Sequence, residues 1–167
     1  MTKAEVRVPP QSLEAEQATL GSMLIDAQSI ERARASLTDK QFYSAKHQLI
    51  FREIISLHDS GSAVDLVTLT EQLKGRKKLD EAGGEVYLSE LLEKVSTTAN
   101  IGHYAEIVSR RAVEREIADE SIRFHNDPSS DRAARLATLV ATRDNERASD
   151  SVAPADVATA KSTSVKP

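Results

Sequence analysis

The 167 residues predict an all-α fold, on three observations. Apolar residues recur at helical spacing in segment after segment from Leu13 to Val140, and no strand-like alternation persists anywhere. Residues that start helices stand ahead of most of these segments: Ser12, Asp26, Ser44, Asp65, Asn100 and Asp127. From Ser149 to Pro167 there is no Leu, Ile or aromatic residue, so the helical pattern ends in a segment that reads as a disordered tail or linker.

Ser12 is predicted to cap the first helix, with Glu14 and Glu16 favouring its positive end and Leu13, Leu20 and Leu24 as its apolar stripe. Asp26 opens a second helix that runs through Leu37. Thr38 and Gln41 fit a capping box ahead of Phe42 and Tyr43. Ser44 opens a third helix, where His47, Ile50, Phe51, Ile54 and Leu57 share one face, and the run from Asp59 to Ser62 stops it. Asp65 caps a fourth helix with Leu66, Leu69 and Leu73 inward, ended by Gly75 and the basic run Arg76, Lys77, Lys78. Gly83 and Gly84 break the chain before a fifth helix that buries Tyr87, Leu88, Leu91, Leu92 and Val95. Asn100 caps the sixth and longest helix, striped by Ile101, Tyr104, Ala105, Val108 and Ala112 and reaching toward Phe124. Asp127 as cap and Pro128 at the first helical position open a last helix from Ser129 to Arg147. Its apolar set, Ala133, Leu136, Leu139 and Val140, is narrow enough to need a partner.

Composition excludes several chemistries. There is no Cys, which rules out disulfides, thiolate metal sites and Cys nucleophiles. No apolar run approaches a membrane span, and Met1 to Val8 has no apolar signal core, so a cytoplasmic location without membrane contact is expected. No two of the glycines 21, 61, 75, 83, 84 and 102 are five apart, so a phosphate-cradling P-loop is absent, as is GxGxxG. No cofactor or metal is expected. The histidines 47, 58, 103 and 125 have no i, i+4 partner among themselves. His47 reads as a satisfied histidine on an apolar stripe, and His103 as an exposed or capping residue. The acidic cluster Glu114, Glu116, Asp119 and Glu120 reads as a solvated face paired with Arg110, Arg111 and Arg115. A net charge of -4 with few aromatics argues against nucleic-acid binding by bulk charge.

The order of motifs adds a resemblance. Pro9-Pro10, then Leu13-Glu14-Ala15-Glu16-Gln17 and Leu20-Gly21-Ser22-Met23-Leu24, resemble the opening of DnaB-like replicative DNA helicases. So do Phe42-Tyr43, His47 to Phe51, Val64 to Leu69, Gly83-Gly84 with Tyr87, Leu88 and Leu91, and Asn100-Ile101 with Tyr104-Ala105 and Ile107-Val108. The resemblance spans Val8 to Ile117 and implies the family's N-terminal domain, a small helical bundle head followed by a helical hairpin. It divides the chain into an arm (1–10), a head (11–99), a hairpin (100–147) and a disordered tail (148–167).

In that reading Leu13, Leu20, Leu24, Phe51, Leu66, Leu69, Tyr87, Leu88 and Leu91 are core, and Gly21 marks a close approach of two helices. The family's ATP-dependent motor has no counterpart in this sequence, so catalysis is not carried over and a non-catalytic module is expected. Its expected partners are a second copy, giving a dimer or higher oligomer, and a primase or a full-length replicative helicase, with DNA contacted weakly or indirectly. The candidate interface is the outward side of the hairpin: Arg110, Arg111, Arg115, Leu136, Leu139 and Val140. Two alternatives are a small helical DNA-binding regulator and a mobile-element decoy that modulates a host helicase.

Overall fold

The computed structural model describes residues 7–151. Among these residues the order is α1 (Leu13–Ile25), α2 (Ala27–Ser36), a 3-10 turn (Asp39–Gln41), α3 (Ala45–Asp59), α4 (Leu66–Gly75), α5 (Gly84–Glu93), a second 3-10 turn (Thr98–Asn100), α6 (Ile101–Asn126) and α7 (Ser130–Ser151), with no strand. No helix among them is long and apolar enough to cross a membrane. The expected tail beyond Ser151 lies outside the described residues.

Helix α1 runs through the centre of the head, packed by α2, α3, α5 and α6. Leu20 and Met23 are sealed from solvent beside Ile30, Phe42, Ile50, Ile54, Leu69, Leu73, Leu88 and Leu91. Ile101, Ala105 and Val108 of α6 belong to the same cluster. The first half of α6 is therefore part of the head, and the expected division at residue 100 does not separate two packing units. Leu13 departs from its expected core role: it is 42% exposed, because the buried side of the first turn is taken by Ala15 and Glu16.

The predicted caps divide by whether a nearby amide needed them. Ser12 accepts from the Ala15 N–H, Asp26 from Gln28 N–H at 3.1 Å, and Asp65 from Thr68 N–H at 2.8 Å. That last bond, more than anything else, holds the Asp65 carboxyl below its ordinary range. Gln41 Oε1 accepts from Thr38 N–H at 2.7 Å. Ser44 makes no side-chain cap. Asn100 does not cap α6 either: Thr97 accepts from Ala99 N–H, and the chain enters α6 through the 3-10 turn. Pro128 stands outside α7, because Ser129 supplies the cap by accepting from Arg132 N–H. At its other end α7 continues four residues beyond Arg147, where Ser149 Oγ donates to the Glu146 carbonyl and no helix breaker intervenes.

Two backbone features shape the head. Gly21 lies so close to α5 that a Cβ there would collide with the Leu91 carbonyl oxygen and meet Val95 Cγ2 at 2.5 Å. Helix α4 ends with Lys78 N–H on the Leu73 carbonyl and Lys77 N–H on that of Lys74, a Schellman closure. Its left-handed position is Lys77, at φ 57°, where glycine is the usual occupant. Lys77→Gly is therefore expected to stabilise the chain by about 0.5–1 kcal/mol, read as a rise in melting temperature of a few degrees.

Candidate interface and the polar network behind it

Helices α6 and α7 form an antiparallel pair. Glu120 of α6 lies near Arg132 and Arg135 of α7, Glu114 lies 4.0 Å from Arg147, and Ser109 Oγ donates to Glu146 Oε1 at 3.3 Å. Glu120 corrects the expectation of a wholly solvated acidic face. It is buried, within 3.5–3.8 Å of Arg123, Arg132 and Arg135, and so faces the second helix of the hairpin. Burying a carboxylate is costly unless cations offset it, and here three arginines stand around it. Among the described residues no group of His, Asp and Glu is placed to hold a metal ion.

The three candidate arginines separate. Arg115 does not face outward as expected. Its guanidinium donates to the Pro10 carbonyl at 2.8 Å and the Gln41 carbonyl at 2.6 Å, and it sits 5.6 Å from the centre of the Tyr43 ring. It clamps the arm and the head to α6. Burial lowers its pKa, against the opposing charge of Glu16. Arg111 pairs with Glu114 at 2.7 Å on its own helix. Arg110 is half-buried, and its charge acts on Glu146 of α7.

Burial raises the Glu146 carboxyl above its ordinary range, and the Ser109 hydroxyl and Arg110 only partly oppose it. Its Oε2 atom is buried without a hydrogen-bond partner. Gln41 extends this contact into the head. Its Nε2 donates to Ser109 Oγ at 3.1 Å, so a chain of hydrogen bonds runs from the turn at Thr38 through α6 to α7.

Leu136, Leu139 and Val140 are each half-buried, and no side chain of α7 among residues 130–149 is fully buried. Leu136 and Val140, with Phe124, Ala133, Ala137 and Ala141, line an open groove of about 580 Å³ whose walls are mostly apolar. Leu139 is not among its lining residues. The narrow stripe of α7 thus divides between α6 and solvent.

Sequence reasoning missed the centre of the head's polar network. Glu16 is buried and accepts from the Tyr43 and Ser44 backbone N–H groups, at 2.6 and 3.3 Å, and its Oε2 lies 2.6 Å from His47 Nδ1. His47 Nε2 lies 2.5 Å from the Tyr87 hydroxyl, which accepts from Gln17 Nε2 at 3.2 Å. One proton arrangement satisfies every member: Gln17 donates to Tyr87, Tyr87 to His47 Nε2, and His47 Nδ1–H to Glu16. Lys46 Nζ lies 3.5 Å from the centre of the Tyr87 ring. The sequence places Glu16 at a helix end and His47 as a satisfied histidine on the apolar stripe, without linking the two. The available signal was a Glu and a His both lying on faces that had to be buried.

Comparison with known proteins agrees with this architecture. A family model described as DnaB-like helicase N terminal domain matches residues 8–110. The chain is 45% identical over 111 residues to the replicative DNA helicase DnaB of Rhodothermus marinus and to that of Geobacillus stearothermophilus. The match takes in 66% of this chain but 12% and 24% of those relatives, so the chain spans a quarter or less of their length. Among solved structures, the N-terminal domain of DnaB helicase from Mycobacterium tuberculosis superposes with a TM-score of 0.72 at 32% identity, covering 81% of this chain and 99% of that one. A DnaB-like replicative helicase, solved with its interactions with primase, shares the fold at TM-score 0.64 and 22% identity, over 86% of this chain and 36% of that one.

Proposed function

Because this chain belongs to the family of DnaB-like helicase N-terminal domains, we propose that it is a non-catalytic assembly module of DNA replication. It pairs with a second copy through the hairpin and docks a primase or a full-length replicative helicase. It works in the cytoplasm and needs no cofactor. The observation that carries the pairing is the α7 groove, an apolar surface on a helix that none of its own side chains anchors completely. Contiguous exposed apolar surface is a mark of protein contact sites. The primase is supported by the solved relative of the same fold that was studied with its primase.

The DNA-binding alternative has less to stand on. Arg76 is held 3.0 Å from the buried Glu53 carboxylate. Arg76 is therefore spent on the fold rather than offered to phosphate.

Leu136→Asp combined with Val140→Asp is expected to convert a dimer or larger oligomer to monomer while leaving the helical circular dichroism signal intact. Sedimentation equilibrium reads the first effect. A wild-type chain that stays monomeric at high concentration removes the pairing from the proposal. Calorimetric titration with purified primase and with the replicative helicase tests the docking separately.

A further inference from the structure

A second groove, of about 890 Å³, lies on the side of α6 where the N-terminal arm crosses it. It is within the size range of ligand-binding clefts. Three of the large apolar residues that the fold leaves exposed line it together: Val8 at 63%, Tyr43 at 39% and Ile122 at 62%. Scattered singly, such residues need no explanation, but gathered around one concavity they form a contact surface.

Its charges are unbalanced. Among the lining residues Arg7 and Arg115 stand against a single carboxylate, Asp119, while the charges of Glu16 and Glu116 reach Arg115 from outside the lining. Arg7 makes no hydrogen bond or ion pair among the described residues. Arg115 gives one N–H from each terminal nitrogen to a neutral carbonyl and has no carboxylate within ion-pair distance. Two cations over an apolar floor complement a ligand that brings both carboxylates and apolar side chains.

We propose that this groove is a docking site for an acidic amphipathic peptide segment of a protein partner. The segment's apolar side chains rest on Val8, Tyr43 and Ile122, and its carboxylates pair with Arg7 and Arg115. The site is separate from the α7 groove and does not depend on the pairing proposed there.

The test is selection from a random peptide library displayed on phage against the immobilised chain, followed by fluorescence anisotropy with the enriched peptides. Arg7→Glu and Ile122→Ser both alter exposed side chains, and circular dichroism confirms that each variant keeps its helices. The expected consensus joins Asp or Glu to large apolar residues, and each variant weakens binding about tenfold or more. Enrichment of basic or uncharged peptides overturns the proposal, as does binding that ignores both substitutions or no enrichment at all. An oligothymidylate that binds in place of peptides and is released by Arg7→Glu reassigns the groove to nucleic acid. Loss of self-association in Ile122→Ser with Leu136 and Val140 intact reassigns it to a second copy of the chain.

Discussion

Gly21→Ala is expected to destabilise the chain by about 1–3 kcal/mol, a fall of roughly 3–10 °C in melting temperature. A mid-helix Gly-to-Ala change would ordinarily stabilise by up to about 1 kcal/mol. Here the added methyl has nowhere to go. The nearest obstacle is the Leu91 backbone carbonyl, which cannot rotate aside as a side chain can, and Val95 closes the other side. Relief requires α1 and α5 to separate, which loosens Leu20, Leu88 and Leu91 at the centre of the core. Gly102→Ala is the control. It lies in the first turn of α6 with open space around it, and should leave stability unchanged or slightly raised. Thermal melts of the two variants side by side separate the effect of the close approach from that of glycine itself.

Glu16→Ala is expected to cost more, about 3–5 kcal/mol, because it strips one buried and two part-buried donors of their shared acceptor. The His47 ring would be left unpaired in a buried site, and the part-buried Tyr43 and Ser44 amides would lose their acceptor. Tyr87→Phe cuts the same network at its outer end, where Gln17 keeps a route to solvent, and should cost only about 1 kcal/mol. A double-mutant cycle between Glu16→Ala and His47→Leu checks the assignment. The two residues touch, so the combined loss should fall short of the sum of the single losses by about 0.5–3 kcal/mol. Strict additivity would show that the carboxylate and the imidazole act independently.

Most of the fold was legible because helical spacing and caps are local signals. The face from His47 to Leu57 is buried as its period requires, and Asp26 and Asp65 cap where their side chains meet a free amide. Gly21 was legible as a close approach because a glycine inside a strong helix needs a compensating reason. Ser44 and Asn100 misled: Ser44 makes no side-chain cap bond, and Thr97 rather than Asn100 opens the turn before α6. The candidate interface was only half legible. Spacing placed Leu136 and Val140 on one stripe, but Arg115 and Glu120 take their roles from Pro10, Gln41 and the α7 arginines. Those partners come from elsewhere in the sequence, and no periodicity links them.

The thin seating of α7 also has a thermodynamic consequence. It rests on half-buried side chains, a partly satisfied Glu146 and partly exposed ion pairs, while α1 lies in a sealed core. Opening free energies within one protein range from near zero to the global value, and elements seated this way fall at the low end. Helix α7 is therefore expected to open locally while the head stays folded. Any partner that holds it also slows its local opening, so amide hydrogen exchange along 130–149 becomes a sensitive gauge of assembly in a region where the rest of the molecule scarcely changes.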